Sequence, residues 1–303
     1  MSDRICVVVV TYNRKDLLLR NLMATLSQSV GVDVLIYDNH STDGTRQYLR
    51  ENGILDSENI HYFYSDKNLG GAGGFSNGMR MVYEKGYDYA WLMDDDGCCF
   101  NEYTLKNLLD VLPAKGNPCI LNPAVVCNDN LDLTFGFYDI STYSQLLEGA
   151  AGGVYDGYIN PFNGTLVSRE CMDLIGFPKG EFFIYGDEHE YMLRALKNNV
   201  LVRTAVNSLY FHPVNRTIKH KNVWKFSVPI KDEPVWKTFC DTRNSIYISK
   251  HYESPKMLII RVLTSLLAAL HKTSRKTTYL RYVIIAISDG LRGKFDRPIM
   301  FQA

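Results

Sequence analysis

Trp91-Leu92-Met93-Asp94-Asp95-Asp96-Gly97 runs from apolar residues straight into three consecutive carboxylates. The apolar lead-in, Tyr89 to Met93, has the length of a buried strand. Because Asp and Gly are poor strand residues, the strand should end where the acids begin. Open α/β folds bind ligands at the carboxyl ends of their strands. Crowded carboxylates repel one another unless a cation lies between them, and such oxygen ligands suit Mg²⁺ or Mn²⁺ shared with substrate phosphates. An acidic surface turn is the alternative interpretation.

The N-terminal part of the chain has the pattern of a βαβ unit. Ile5 to Val10 is β-branched and continuous, as in a fully buried parallel strand. A helix from Lys15 to Leu26 should follow, with Asn13 as its N-cap. A second strand, Asp33 to Tyr37, precedes a helix that starts near Thr45. This alternation predicts a right-handed βαβ unit and a parallel sheet.

A third strand, Ile60 to Tyr64, leads into the glycine-rich stretch Asp66 to Phe75. Such a turn can cradle phosphate with its backbone N–H groups, although a simple flexible turn is commoner. Neither the G-x-G-x-x-G pattern nor the G-K-[ST] ending of a P-loop is present. The sequence therefore disfavours a dinucleotide enzyme and a P-loop NTPase. We expect the next helix over Phe75 to Glu84.

The rest of the chain continues the α/β pattern and then changes character after Pro213. Residues 129 to 158 have no clear period and receive no prediction. Further strands are predicted at 119–127, after the turn at 158–163, and at 200–204, and helices at 105–112 and 187–198. Three amphipathic or apolar helices with basic edges follow, at 236–250, 256–271 and 279–291.

The charge of the chain is unevenly distributed. At 303 residues, 46% hydrophobic and 22% charged, the composition is that of an ordinary globular protein with zero net charge. From Arg216 onward, however, 17 Lys and Arg residues stand against six Asp and Glu residues. This asymmetry predicts either a basic tail that meets an anionic partner or a solvated helical face.

Cysteine usage and hydropathy indicate the compartment. The seven cysteines are scattered and include no C-x-x-C pair, so neither a zinc site nor a redox motif is indicated. A reducing cytosol is the simplest location. The apolar run Ile5 to Val10 is too short for a signal peptide, and no stretch reaches the length of a membrane span. We therefore expect a cytoplasmic protein.

Three carboxylate-bearing segments follow predicted strands: Asp38, Asp94-Asp95-Asp96 and Asp187-Glu188. In a parallel sheet all three could line one edge. A metal held there would bind phosphates, and a separate carboxylate could act as a general base. Asp187 and Glu188 open a helix, so they could instead simply complement its dipole.

Together these segments resemble the family 2 glycosyltransferases, which have the GT-A fold. Val7 to Arg14 is similar to the opening strand and base-contacting loop of that family, and Asp38 to Thr45 to the signature whose Asp holds the nucleoside. Asp94-Asp95-Asp96 resembles the D-x-D metal motif, and Asp187 to Arg194 the general-base segment. The resemblance covers roughly residues 4 to 215. It implies a GT-A catalytic domain over residues 1–215, with a mostly parallel sheet flanked by helices, and a basic, mainly helical extension over 216–303.

Within that family, Asn68 to Phe75 and Asp94 to Gly97 look most like bacterial galactofuranosyltransferases and related rhamnosyltransferases. The resemblance implies a Mn²⁺ or Mg²⁺ cofactor, and it implies Glu188 as the base with Asp187 in support, although the usual base is Asp. On sequence alone, His212 would be read as a core or surface histidine. The implied metal ligands are Asp94, Asp96 and His212, and the implied nucleotide-binding residues are Thr11, Tyr12, Asn13, Arg14, Asp38, Asn68, Gly70, Gly71, Asp94 and Asp95.

The reaction that the resemblance implies is an inverting single displacement. The base takes a proton from an acceptor hydroxyl as its oxygen attacks the anomeric carbon. The expected donor is UDP-galactofuranose, with dTDP-rhamnose as the alternative. The expected acceptor is a lipid-linked or growing cell-surface polysaccharide.

Other interpretations remain open at this point. A nucleotidyltransferase would carry a glycine-rich loop after its first strand, and Thr11 to Arg14 contains no glycine. A non-catalytic sugar-nucleotide-binding assembly partner would keep Asp38 and the acidic cluster without needing Glu188. No nucleic-acid recognition module is recognisable. The basic C-terminal helices could pack on the catalytic domain, contact a second copy in a homo-oligomer, or dock on an anionic membrane at the inner face of the cytoplasmic membrane.

Overall fold

The computed structural model describes residues 3–135, 140–214, 219–223, 226–230, 233–272 and 275–298. The chain divides into two compact units. The first comprises residues 1–180 and 191–214, and the second comprises residues 181–190 and 215–303. The second unit thus takes in residues 181–190, which precede and open the predicted helix of Asp187 and Glu188.

The first unit is built on a single large sheet. Its strands are β1 (Ile5–Thr11), β2 (Asp33–Asp38), β3 (Ile60–Tyr64), β4 (Tyr89–Asp94), β5 (Cys98–Cys99), β6 (Cys119–Val126), β7 (Val154–Asp156), β8 (Asn163–Ser168) and β9 (Leu201–Phe211). The order along the sheet is β3-β2-β1-β4-β8-β6-β9-β5, with β7 paired to β9.

The first four strands form the parallel half of the sheet. β1 lies between β2 and β4 and pairs with both in parallel, and β2 pairs in parallel with β3. Every residue of β1 is buried, as its unbroken β-branched run predicts. Parallel pairing brings the carboxyl ends of β1, β2 and β4 to one edge of the sheet, so the loops that begin at Thr11, Asp38 and Asp94 start side by side.

The second half of the sheet is mixed. β8 runs antiparallel to both of its neighbours, β4 and β6, whereas β6 and β9 pair in parallel. The predicted strand at 200–204 extends to Phe211, and its end pairs with the two-residue strand Cys98–Cys99. This pairing brings the end of β9 next to the loop that follows β4.

Helices cover both faces of this sheet. They are α1 (Lys15–Leu26), α2 (Thr45–Glu51), α3 (Gly70–Glu84), α4 (Thr104–Leu109), α5 (Tyr143–Glu148) and α6 (Arg169–Ile175), with α7 spanning Asp187–Lys197. One apolar core joins α1 to the face of Val7 and Val9, and the other joins α3 to the face of Val8 and Val10. The predicted helices at the N-terminus, α1 and α2, are confirmed.

Two local predictions are wrong. Asn13 does not cap α1: it has φ 54°, and Arg14 occupies the N-cap position without a side-chain cap. The glycine-rich stretch is not a turn before Phe75, because α3 already begins at Gly70. Both errors have one physical cause, since these residues are fixed by partners far along the chain rather than by their neighbours.

The second unit includes a β-hairpin and the C-terminal helices. The strands β10 (Lys219–Val223) and β11 (Phe226–Ile230) are antiparallel, and the helices are α8 (Val235–Tyr252), α9 (Pro255–Leu270) and α10 (Lys276–Arg292). Phe239 and Cys240 of α8 pack against Ala286 of α10. Among the residues that the structure describes, none of the helices combines the length and the apolar character needed to cross a bilayer.

Candidate active site

The three consecutive acids lie at the carboxyl end of β4. Asp94 is the last residue of the strand, and Asp95 and Asp96 are buried in the loop that follows. His212, the first residue after β9, joins them, because its backbone N–H donates to the carbonyl of Val126 at 2.9 Å. One ligand atom each from Asp94, Asp96 and His212 lie within 4.8 Å of one another. The structure therefore brings together the three residues predicted to bind a metal.

Two side chains, Arg14 and His212, contact Asp96. Its Oδ2 accepts from Arg14 Nη1 at 2.9 Å, and its Oδ1 lies 3.2 Å from His212 Nε2. Burial raises the pKa of Asp96, but the hydrogen bond and charge of His212, with the charge of Arg14, outweigh it and hold the pKa below the ordinary value. Burial lowers the pKa of His212, yet its bond to Asp96 raises it overall.

Asp95 faces the loop after β1. Its Oδ2 accepts from Thr11 Oγ1 at 2.9 Å, and its Oδ1 accepts from Arg14 Nη1 at 3.1 Å. Burial raises the pKa of Asp95 to about 6 despite these contacts. Arg14 thus bridges two neighbouring carboxylates and offsets part of their mutual repulsion.

A buried asparagine that the sequence analysis did not select supports this loop. Asn21 lies on the apolar stripe of α1, and its Nδ2 donates to the carbonyls of Asp94 at 3.1 Å and Gly97 at 2.8 Å. These bonds fix the backbone on both sides of Asp95 and Asp96. The sequence does contain one indication of this role, since Asn21 is a polar residue on a helix face that also carries Leu18 and Leu22. A buried amide in such a place needs specific hydrogen-bond partners.

Asp38 ends the neighbouring strand and is also fixed in orientation. Its Oδ1 accepts from the Ser41 N–H at 2.7 Å, and its Oδ2 accepts from the Tyr62 hydroxyl. Burial and the bond to Asp38 raise the pKa of Tyr62, so this hydroxyl remains a donor at neutral pH. A cavity of about 400 Å³ opens beside Asp38, with Tyr64 and Arg46 also in its wall.

The remaining predicted nucleotide-binding residues lie at this edge of the sheet. The Asn13 side chain accepts from the Thr42 N–H at 2.7 Å, which ties the loop after β1 to the loop after β2. Tyr12, beside it, is exposed. Asn68 accepts from the Gly70 N–H at 2.8 Å, and no heavy atom lies within 4 Å of a Cβ built on Gly71.

The candidate base segment belongs to the second unit. Asp187 is buried and Glu188 is half-buried in the first turn of α7. Among the residues that the structure describes, none forms a hydrogen bond or an ion pair with the Glu188 carboxylate. Burial lowers the pKa of the adjacent His189, although the charge of Glu188 opposes this.

The donor set of the cluster fits a divalent cation. The two carboxylates of this set suit Mn²⁺ or Mg²⁺. His212 Nδ1 lies 2.9 Å from the carbonyl oxygen of Pro213, which can only accept, so Nδ1 carries a proton and Nε2 faces the acids. Metal-binding histidines typically donate their second N–H to a backbone carbonyl in this way.

Comparison with known proteins gives the family. The model of the glycosyl transferase family 2 matches residues 6–218, which include β1, β2, the acidic loop, α7 and His212. The chain belongs to glycosyl transferase family 2. It is accordingly a glycosyltransferase, as the four motifs in their order predicted.

The similar proteins include galactofuranosyltransferases and a rhamnosyl transferase. The galactofuranosyltransferase GlfT1 of Mycolicibacterium smegmatis is 30% identical over 222 residues, which cover 70% of this chain and 72% of the relative. GlfT1 of Mycobacterium tuberculosis is 32% identical over the same length. The dTDP-rhamnosyl transferase RfbF of Shigella flexneri is 25% identical, with 97% of each chain covered.

Solved structures agree on the fold. The mannosyltransferase PcManGT from Pyrobaculum calidifontis, in complex with GDP-Man and Mn²⁺, has a TM-score of 0.55 at 16% identity, covering 96% of this chain and 76% of that one. GalNAc-T7 with UDP, GalNAc and Mn²⁺ has a TM-score of 0.61 at 9% identity, covering 97% and 58%. The predicted GT-A glycosyltransferase fold is confirmed.

Proposed function

We propose that this family 2 enzyme transfers galactofuranose from UDP-galactofuranose, with inversion, to a hydroxyl of a lipid-linked or growing cell-surface polysaccharide. The observation that carries the proposal is the cluster of Asp94, Asp96 and His212 beside Asp38, at the edge where ligands of α/β folds bind. The similarity to galactofuranosyltransferases over more than two thirds of the chain supports the choice of donor.

The donor nucleotide binds, in this proposal, across the ends of β1, β2 and β4. Asp38 is oriented by Ser41 and Tyr62 and accepts from the nucleobase or ribose next to the 400 Å³ cavity. The loop from Thr11 to Arg14 and the start of α3 at Asn68, Gly70 and Gly71 line the rest of the nucleotide site. Arg14 neutralises the acids from the side of the first loop.

Asp94, Asp96 and His212 would hold the cation. When bound, Mn²⁺ or Mg²⁺ supplies Lewis acidity toward the diphosphate that leaves. A carboxylate that coordinates a metal is a poor base, and the bonds of Asp96 to Arg14 and His212 lower its basicity further. A second acidic site must therefore accept the proton.

Glu188 is the proposed base. Its carboxylate takes the proton of the acceptor hydroxyl while the hydroxyl oxygen attacks the anomeric carbon and the bond to the diphosphate breaks. Asp187, which is buried, supports the first turn of the helix that carries Glu188. We assign the catalytic domain to residues 1–215 and an extension to residues 216–303.

Transfer of rhamnose from dTDP-rhamnose is the second candidate, because the rhamnosyltransferase RfbF matches the chain over almost its whole length. A donor screen with Mn²⁺ and a lipid-linked glycan acceptor distinguishes the two. A thermal-shift comparison gives an independent readout: we expect UDP to stabilise the protein more than dTDP. Preferential stabilisation by dTDP, with transfer from dTDP-rhamnose only, would overturn the galactofuranosyl assignment.

A lipid-linked acceptor would require the enzyme to work at a membrane surface, and we propose peripheral contact through the C-terminal helices at the inner face of the cytoplasmic membrane. Within α9 only Ala269 is buried, whereas Ile259, Leu263 and Leu270 are exposed on one stripe. Residues 254–288 contain six Lys and Arg residues and no Asp or Glu. Such a basic, apolar helical surface suits anionic lipid head groups.

A further inference from the structure

The backbone that leads into the candidate base is held in an unfavourable conformation. Phe183 and Tyr185 have φ values of 68° and 67°, and Gly186 has φ 82°. Bulky residues rarely adopt the left-handed region, and they remain there only where the surroundings over-determine the backbone. Glu188 follows two residues after Gly186, so this segment sets where α7 begins.

One side-chain amide holds most of this segment. Nδ2 of Asn244, on α8, donates to the carbonyls of Phe182 at 3.1 Å, Ile184 at 3.0 Å and Tyr185 at 2.7 Å. Three carbonyls that converge on one amide require the chain to turn tightly around it. The left-handed residues provide that turn.

The neighbouring residue on α8 is a fully buried arginine. Arg243 Nη2 donates to the carbonyls of Phe182 at 2.9 Å and Glu181 at 3.3 Å, and its Nε donates to Asn244 Oδ1 at 2.9 Å. It forms no ion pair with any residue in the part of the chain that the structure describes. Burial lowers the pKa of Arg243, as expected for a cation removed from water, although the charges of Asp289 and Glu181 oppose this shift.

Further contacts come from the same side of α8. A Cβ on Gly186 would lie 3.0 Å from Ile248 Cδ1, and the Tyr252 hydroxyl donates to Glu190 Oε1 at 2.6 Å. The ring of Phe182 packs edge-on against Tyr247. α8 thus contacts the segment 181–190 along three turns, on both sides of Glu188.

A buried cation with no ion pair among the described residues and a strained backbone both cost stability, so simple packing does not explain them. We propose that Arg243 and Asn244 are positioning residues, which fix the segment 181–186 and thereby the place of the Glu188 carboxylate. The inference rests on the proposed role of Glu188 as the base. Misplacement of a reacting group by about 1 Å can cost roughly 100-fold in rate.

The test compares Asn244→Leu, which keeps the volume but removes the donors, with Ile246→Ala. Ile246 is equally buried on α8 and packs against Gly290 of α10, so this control destabilises the same helix at its contact with α10. We expect Asn244→Leu to lower kcat about 10- to 100-fold, with the donor KM and the affinity for UDP and Mn²⁺ within twofold of wild type. Arg243→Met should behave similarly, and Arg243→Lys, which keeps one donor toward Phe182, should recover part of kcat.

Retained UDP and Mn²⁺ binding shows that the first unit of each variant is folded, and Ile246→Ala controls for destabilisation of α8. If Asn244→Leu lowers kcat no more than Ile246→Ala does, or raises KM in proportion, Asn244 is merely structural and the proposal is overturned. Glu188→Gln is assayed alongside. If Glu188→Gln keeps wild-type kcat, the base assignment itself is wrong and the positioning role is overturned with it. An inactive Glu188→Gln beside a fully active Asn244→Leu overturns the positioning role alone.

Discussion

At the scale of single residues, the proposed mechanism assigns to two carboxylates two chemical tasks that one could not combine. Asp96 is buried between Arg14 and His212, which contact its two carboxylate oxygens and hold its pKa below the ordinary value. Glu188 has no such partner among the described residues. A carboxylate that stays ionised can bind a metal, and in the proposal Glu188 is left to accept the proton.

The histidine in the cluster gives the first prediction. Because His212 offers a ligand nitrogen next to Asp94 and Asp96, His212→Ala should weaken Mn²⁺ binding by at least about tenfold, given that even outer-shell changes at metal sites cost roughly 10- to 100-fold. Isothermal titration with Mn²⁺ in the presence of UDP measures this. The control His61→Ala, on β3 and outside the cluster, should bind as wild type does. Unchanged affinity in His212→Ala would remove His212 from the metal site.

The second prediction concerns pH. The bond to Asp96 raises the pKa of His212 above its ordinary value of 6.5, and only the unprotonated Nε2 can bind a cation. Mn²⁺ affinity should therefore be constant at high pH and fall by about tenfold per pH unit once the pH drops below that raised pKa. The dependence should disappear in His212→Ala. A wild-type affinity that is flat from pH 8 to pH 5.5 would contradict it.

The sequence predicts the acidic cluster Asp94-Asp95-Asp96 because these residues are contiguous and follow an apolar run. Asn21 and Tyr62 could not be found in this way, since Asn21 acts on backbone carbonyls more than 70 positions away and Tyr62 acts across two strands. Arg243 and Asn244 could not be predicted from the sequence for the same reason. Residues that orient other residues carry no motif of their own.

At the scale of elements, the glycines of α3 serve packing rather than a flexible loop. A Cβ on Gly74 would lie 2.5 Å from Val10 Cγ1, and a Cβ on Gly78 would lie 2.5 Å from Val8 Cγ1. The helix therefore lies directly on β1, which a side chain at either position would prevent. Its first turn is joined to the loop after β2, because Asn39 accepts from the Leu69 N–H and donates to the Gly70 carbonyl, both at 2.8 Å.

This close approach predicts a steric effect on stability. Gly78→Ala should destabilise the protein by about 1–2 kcal/mol, because overpacking typically costs about 1–3 kcal/mol and the better helix propensity of Ala offsets part of it. Gly71→Ala is the matched control, since nothing lies within 4 Å of its Cβ, and it should be neutral or stabilising by about 0.5–1 kcal/mol. Chemical denaturation measures both. Equal effects of the two substitutions would show that α3 does not need glycine for packing.

The elements were more predictable than their ends. Strands β1 to β4 follow from short apolar runs and helix α1 from its apolar stripe, because both are buried on the sheet. The start of α3 did not follow, because a run of glycines has low helix propensity and only the contacts with Leu69 and Gly70 and with β1 overcome it. Asn13 likewise has a typical capping side chain, but that side chain is bound to Thr42 instead.

At the scale of the whole molecule, the order of strands could be predicted only in part. Consecutive βαβ units give the parallel half, β3-β2-β1-β4. The antiparallel insertion of β8 between β4 and β6 depends on pairings between residues more than 40 positions apart, which single-sequence periodicity does not encode. That insertion matters for the site, because β8 and β6 connect β4 in the sheet to β9, the strand that ends just before His212.

The C-terminal helices give a prediction at the same scale. Leu263→Glu places a charge in the middle of the exposed stripe of α9 and should reduce flotation with vesicles of anionic lipid several-fold, while leaving donor hydrolysis unchanged. Leu174→Glu, at an exposed leucine of the first unit, is the control and should float as wild type does. High salt should weaken binding of the wild type, because the basic residues contribute through screened charge.

Two outcomes would contradict membrane contact. Vesicle binding by Leu263→Glu that equals wild type would exclude the α9 stripe. A change in oligomeric state by size-exclusion chromatography, without any loss of vesicle binding, would show instead that this stripe joins two copies of the chain.

The most direct test is the turnover number of Glu188→Gln, measured with the donor that the screen selects. A general base contributes about 10²- to 10⁴-fold to the rate, so kcat should fall by that factor while Mn²⁺ and UDP bind with wild-type affinity. A kcat within tenfold of wild type, at unchanged affinity, would contradict the proposal that the acidic cluster binds the metal while Glu188 is a separate base.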